Sequence, residues 1–246
     1  MVAPSRVVCI VTCWPPDTDF TAIILLTTLV LVPSSLTDLY TQVLPTPTGA
    51  GRNAPPSNED IARVVVGALV DPHRHDGRTY RPTGPTLLSG AEIADAVGEA
   101  LGRRVRHIDI PPWMFMRAVR VNAKRLGADL FFQSSLRHYL PEYALGTFEV
   151  GGPTTHVRDV AGVEPEDFLT IARRYVTGPE SRRTAGNFIR SIWDFMLTGL
   201  VPMHRLDKFD RLQQHPRPAH PRFSGQSIEW RNEHTAAAEP ERTVTR

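Results

Sequence analysis

A tyrosine four residues before a lysine lets the ammonium lower the phenol's pKa, so that the phenol can exchange a proton with a substrate. The chain has two lysines, Lys124 and Lys208, and the residues four positions earlier are Arg120 and His204. That pair is therefore absent at its usual spacing. A backbone cradle for a pyrophosphate needs G-x-G-x-x-G or a P-loop. The chain has neither, and the glycine pairs Gly49-x-Gly51 and Gly151-Gly152 lack the flanking strand-then-helix order and read as turns. His73-x-His75 has a spacing that could share a metal, but it sits beside the Asp76-Gly77 turn and reads as an exposed loop. Cys9 and Cys13 form a C-x-x-x-C that would need two further ligands from elsewhere. Ser134-Ser135 lies near His138 with nothing to place an orienting acid, and His204, His215 and His220 read as composition of the C-terminal part. Asp60 stands at the start of a helix, where it could orient a neighbouring loop or touch a ligand; helix capping already accounts for it. From spacing alone, catalytic and cofactor-binding residues stay unknown and no metal is expected.

The elements that would have to position a site are easier to read. Ser57 followed by Asp60 is a capping-box-like start. Ile61, Val64, Val65, Ala68 and Leu69 then fall on one face of a helix, which Asp71-Pro72 ends. Arg78–Arg81 is a short strand candidate, and Pro82-Thr83-Gly84-Pro85 breaks it. Ser89 with Glu92 opens a second helix, striped by Ile93, Val97, Ala100 and Leu101, with Gly102 as its stop. Val105–Ile110 is a strand candidate ending at Pro111-Pro112. This helix, strand, helix, strand order suits an α/β layer architecture. Helices are then expected from Trp113 to Leu126 and from Asp129 to Leu140, stopping at Pro141, with a possible strand at Thr147–Val150. Thr154 or Thr155 caps a short helix through Val160. Pro165 suits the first position of a helix striped by Phe168, Ile171, Ala172 and Tyr175. Ala185–Leu200 is amphipathic and apolar over more than half its circumference. It needs a partner surface, in its own domain or a second subunit, with an interfacial membrane helix as the alternative.

At 246 residues, 41% hydrophobic and 22% charged, the chain has the composition of one soluble domain with appendages. A net charge of +2, spread along the chain and carried by arginine, gives no basic face for nucleic acid. Two close thiols in an otherwise cysteine-free chain favour a reducing, cytoplasmic setting. Val7–Trp14 has no small-x-small cleavage site and makes a poor signal peptide. Phe20–Val32 is a run of 13 residues, apolar apart from threonines, against the roughly 20 that a membrane helix needs. It reads as a buried strand, with a short buried helix or membrane association as alternatives. The organisation expected is an apolar leader over 1–35, a main α/β region over 36–178, a helical extension over 179–214 and a disordered tail over 215–246.

The run GAGRNAPPSNEDIARVVVGALVDP, followed by GRTYRPTGPTLLSGAEIADAVGEALGRRVRHIDIPPWMF, resembles the C-terminal half of NmrA-like proteins, atypical relatives of the short-chain dehydrogenases/reductases. THVRDVAGVEPEDFLTIARRYV resembles that family's closing segment. The likeness covers about Leu44–Val176 and lies in the order of elements. It implies a helix-rich, partial Rossmann-like α/β fold with the substrate side of an NAD(P)-binding protein. Activity would be that of an oxidoreductase acting on a small molecule, or NADP sensing coupled to a regulatory partner; many members lack the Tyr/Lys pair. The dinucleotide half should precede the region around Asn53, and 52 residues do so here, while a βαβ unit alone takes about 30. The expectation is thus a second half behind an unrelated leader, as a truncated reading frame or a frameshift upstream of about Ser34 would produce. The alternatives are a non-catalytic interaction module using Trp113–Leu140 and Ala185–Leu200, and a peripheral membrane protein held by Phe20–Val32 or Ala185–Leu200.

Overall fold

A computed structural model describes Ile10–Val11 and residues 42–177, 184–214 and 218–236. Cys9, Cys13, Phe20–Val32 and His215 lie outside them. The strands are β1 (Ile10–Val11), β2 (Val43–Thr46), β3 (Arg52–Asn53), β4 (Thr79–Tyr80), β5 (Leu88–Ser89) and β6 (Arg106–Asp109). The helices are α1 (Asn58–Val70), α2 (Pro72–His75), α3 (Gly90–Leu101), α4 (Pro112–Val121), α5 (Ala123–Leu126), α6 (Leu130–Ala144), α7 (His156–Ala161), α8 (Phe168–Tyr175), α9 (Ala185–Leu200), α10 (Leu206–Leu212) and α11 (Ile228–Ala236).

Among the described residues the strands pair as three two-stranded ladders, so the chain is helix-rich α/β with little sheet. β2 runs parallel to β6, with Val43 opposite Arg106 and Thr46 opposite Asp109. β1 is parallel to β4, and β3 is antiparallel to β5. Because β2 and β6 are parallel, the chain between them must cross over, and α3 does the packing. Its Ile93 and Val97 close over Leu44 of β2 together with Phe168 and Ile171 of α8. A second core joins α4 and α6 through Phe115, Val119, Leu136 and Tyr139. A smaller one gathers Val64 of α1, Tyr80 of β4 and Val157 of α7.

Local signals set the helix ends. Ser57 Oγ accepts from the Asp60 amide at 2.9 Å, and Ser89 with Glu92 forms the full reciprocal box. Gly102 stops α3 in the left-handed region at φ 65°, where an L side chain would be strained. Departures occur where packing outvotes the local pattern. Leu69, expected on the buried stripe of α1, is exposed, while Ile61, Val64 and Ala68 are buried. The helix expected over 113–126 breaks at buried Asn122, whose side-chain amide donates to Ala118 O at 2.9 Å. α6 does not stop at Pro141 but runs through it to Ala144. A proline forfeits one helical hydrogen bond, and the turn around it is anchored because Tyr139, Leu140, Glu142 and Tyr143 are all buried.

Thr147–Glu149 is a 3-10 turn and not a strand. α8 starts at Phe168, capped by Asp167, so Pro165 lies ahead of the helix. Within the segment expected to be a disordered tail, residues 218–236 carry a 3-10 turn at Ser224–Gln226 and helix α11. Buried Glu142 holds that segment in place by accepting from the Ser224 amide at 2.7 Å and the Gly225 amide at 3.3 Å.

Candidate functional site

In an open α/β sheet, ligands bind outside the carboxyl ends of the parallel strands. The register of β2 and β6 puts Thr46 beside Asp109, so both strands discharge their loops on the same edge. The β2 loop, Pro47–Gly51, turns back by a hydrogen bond from the Gly51 amide to Thr48 O at 3.1 Å. It lies so close to the end of α6 that a Cβ at Gly51 would stand 1.9 Å from Tyr143 O. Asp109 at the end of β6 pins the same loop, accepting from the Gly49 amide at 2.8 Å. Trp113 follows β6 after Pro111-Pro112, half its surface open, with the Arg117 guanidinium 5.2 Å from its ring centre.

His107 stands within this edge. Its Nε2 is shared by the hydroxyls of Thr46 at 2.9 Å and Thr48 at 3.2 Å, both of them buried side chains. The imidazole lies against the first residue of α3, where a Cβ on Gly90 would stand 2.7 Å from Nε2 and 2.6 Å from Thr48 Oγ1. A glycine is thus required there by the close approach of ring and helix. The half-buried ring makes no hydrogen bond at Nδ1 among the described residues. The two hydroxyls on Nε2 and the close approach to Gly90 fix the position of the ring. The sequence pattern did not single out His107. The signal was its place in a strand candidate, two residues before the Asp109 end of β6 and ahead of Pro111-Pro112, and that becomes meaningful only once β2 is known to be its parallel neighbour.

A second constellation gathers where β4 meets α7. His75 is buried, not exposed as its loop setting predicts, and its Nδ1 lies 2.5 Å from the Tyr80 hydroxyl. The Tyr80 ring meets His156 edge-on at 5.6 Å, and His156 Nδ1 accepts from the Arg81 amide at 2.7 Å. Burial holds the His156 imidazole below its ordinary pKa, the Arg81 charge adds to that, and Asp159 opposes it. The Arg81 guanidinium is buried and donates to Val150 O at 2.6 Å and to Gly152 O. These groups bond to one another inside the protein, with Arg81 Nε left without a hydrogen bond among the described residues, and the cluster joins β4, α7 and the 146–155 loop.

The residues that spacing nominated are dispersed. His73 is exposed and turned away from buried His75, and no cluster of metal-binding side chains occurs among the described residues. Ser134 donates to Asp210 at 2.6 Å and Arg137 pairs with both Asp207 and Asp210, which ties α6 to α10. His138 instead faces the Tyr139 and Phe223 rings. Asp60 is fully buried, and its carboxylate does not close a reciprocal cap onto Ser57; it accepts from Arg63 at 2.7 Å and from the Glu166 amide at 2.8 Å, fastening the loop that leads into α8. Gly49 and Gly151-Gly152 adopt positive φ in turns. Lys124 and Lys208 are exposed, as is His220. Burial and Arg120 hold His204 below the usual histidine pKa.

For a dinucleotide the fit is poor. Among the described residues no strand leads through a glycine turn into a helix with free N-terminal amides. β2 is followed by β3, β5 runs directly into α3 with the imidazole of His107 against Gly90, and β6 is followed by two prolines. No described helix is long and apolar enough to cross a membrane.

No family model matches the chain. Over 64 residues, 26% of this chain and 22% of the relative, it is 45% identical to an NAD(P)H azoreductase of Xenophilus azovorans. Over 65 residues, again 26% of this chain and 22% of the relative, it is 42% identical to an uncharacterized oxidoreductase of Bacillus subtilis. Over 127 residues, 52% of this chain and 42% of the relative, it is 30% identical to festuclavine dehydrogenase of Aspergillus fumigatus. The chain thus spans less than half the length of each of these relatives.

Two solved structures align with it over a little more than half its length. A triphenylmethane reductase of Citrobacter sp. is 15% identical, with a TM-score of 0.46 over 57% of this chain and 46% of that one. A nucleoside-diphosphate-sugar epimerase of Staphylococcus aureus is 20% identical, with a TM-score of 0.44 over 55% and 44%. The homology to NAD(P)H azoreductase and to the NmrA-like, atypical short-chain dehydrogenase/reductase group is distant and partial.

Proposed function

We propose that this chain forms the substrate side of an NAD(P)H-dependent oxidoreductase of the atypical short-chain type, working in the cytoplasm. The observation that carries the reading is the parallel β2–β6 pair, which sets His107, Thr46, Thr48 and Asp109 on the edge where such folds bind ligands. The names of the partial relatives, two oxidoreductases and a dehydrogenase, support the reaction class.

In this reading the substrate rests on the edge beside the open face of Trp113, and His107 Nδ1 exchanges a proton with it. The Thr46 and Thr48 hydroxyls reorient on Nε2 to hold the ring in either protonation state. Asp109 keeps the Pro47–Gly51 loop closed through the Gly49 amide. Bound NAD(P)H would supply the hydride; the described residues offer it no pyrophosphate cradle, so they are assigned to the substrate side alone.

The test is a titration of the full chain with NADPH, followed by thermal unfolding, and then with an azo dye, followed by Trp113 fluorescence. A nucleotide bound at one hundred times its dissociation constant adds about 2.7 kcal/mol to stability. Dye quenching that is lost in Trp113→Phe places the substrate on the proposed edge. No stabilisation at millimolar NADPH agrees with a substrate side alone, and stabilisation would show that this chain also holds the nucleotide. Azo-dye reduction at the wild-type rate by His107→Gln would remove the proposed proton donor.

A further inference from the structure

Helix α9 is amphipathic in the reverse sense. At about 100° per residue, Phe188, Ile189, Ile192, Trp193, Phe195, Met196 and Leu200 fall within an arc of about 160°. All seven are between 41% and 75% exposed. The opposite pole, turned into the protein, carries Asn187, Ser191, Thr198 and Asp194, and Asp194 is the one residue of the helix classed as buried. Thr198 Oγ1 donates to the Asp194 carbonyl at 2.8 Å, and the helix packs on α4. The remaining residues inside the outward arc are Ala185 and Gly199, so no charge interrupts it.

The area identifies what covers this face. Large apolar side chains of 150–250 Å² exposed to this degree present roughly 800 Å², above the 300–600 Å² of the largest patch on a typical monomer and equal to one side of a standard-size interface. A lipid surface fits poorly. An interfacial helix reaches the headgroups with basic residues on its polar face, and here that face is packed against the protein, with Arg190 as the charged residue left outside. A two-fold pair sets each patch against itself, and an arc without charges meets its own copy without like-charge conflict. We infer that α9 is the contact face of a homodimer, the second copy laying its own α9 across the first.

Sedimentation velocity of the full chain decides this. At about 50 µM, far above the dissociation constants usual for an interface of this area, the species should have twice the chain mass of 27.4 kDa. Ile189→Glu with Phe195→Glu should return it to monomer, with an unchanged far-UV circular dichroism spectrum. Hydrogen exchange of wild-type peptides spanning 185–200 should slow at least tenfold between about 1 µM and 50 µM. This second readout stands if the double variant does not fold. A monomer at the higher concentration overturns the inference, as does a dimer unaffected by the substitutions or exchange independent of concentration. Binding of a monomer to phosphatidylcholine/phosphatidylglycerol vesicles would assign the face to lipid and overturn it as well.

Discussion

Removing the Asp60 carboxylate should cost far more stability than its place in a helix cap implies. The side chain is 0% exposed, accepts from Arg63 at 2.7 Å within its own helix and from the Glu166 amide at 2.8 Å, and the Glu166 contact connects segments 106 residues apart. A hydrogen bond to a charged group contributes about 1.5–3 kcal/mol, and stranding a buried donor costs about 1–3 kcal/mol. In Asp60→Ala the Glu166 amide loses its partner, so the expected loss is about 3 kcal/mol. At about 2–4 °C per kcal/mol for a domain of this size, that is a drop of roughly 6–12 °C in Tm. Arg63 is nearly half exposed, so Arg63→Ala should cost about 1 kcal/mol or less. Ser57→Ala, which removes only the cap, should cost about 1 kcal/mol. Urea unfolding of the three variants at neutral pH gives the comparison. If Asp60→Ala costs no more than Ser57→Ala, the fastening of the 160s loop is refuted.

Three further outcomes follow from the geometry. Gly90→Ala should drive the His107 ring off the start of α3, costing about 1–3 kcal/mol and moving the His107 ring resonances in the NMR spectrum; an unmoved imidazole would contradict the close approach. Glu142→Gln weakens the charged anchor of the 218–236 segment by about 1.5–3 kcal/mol, so tryptic cleavage at Arg222 or Arg231 should quicken roughly ten- to hundredfold. Because the folded His156 imidazole is held below its unfolded value of 6.5, the unfolded chain binds more protons as pH falls through that value. Stability should therefore decline from neutral pH downward until the folded group also protonates. The difference between wild type and His156→Gln should show that slope; a stability difference that stays flat between pH 7.5 and 5 would contradict it.

The sequence by itself determined what neighbouring residues decide among themselves. Ser57 and Ser89 start helices, and Asp71-Pro72 and Gly102 end them, because a cap is a contact within three or four residues and is written in their identities. It also determined what chemistry is missing, since no arrangement in space puts a lysine four residues after a tyrosine in this chain.

Only the tertiary structure decided the rest, because those choices depend on which surface arrives from far along the chain. His75 turned from a loop residue into a buried partner of Tyr80 when α7 closed over β4. Pro141 stayed inside a helix because the side chains around it are buried. His107 acquired two threonine hydroxyls 59 and 61 residues away once β2 lay parallel to β6. The amphipathic pattern of α9 was plain in the sequence, but periodicity carries no direction. Packing on α4 turned its polar side inward and left its apolar side facing out.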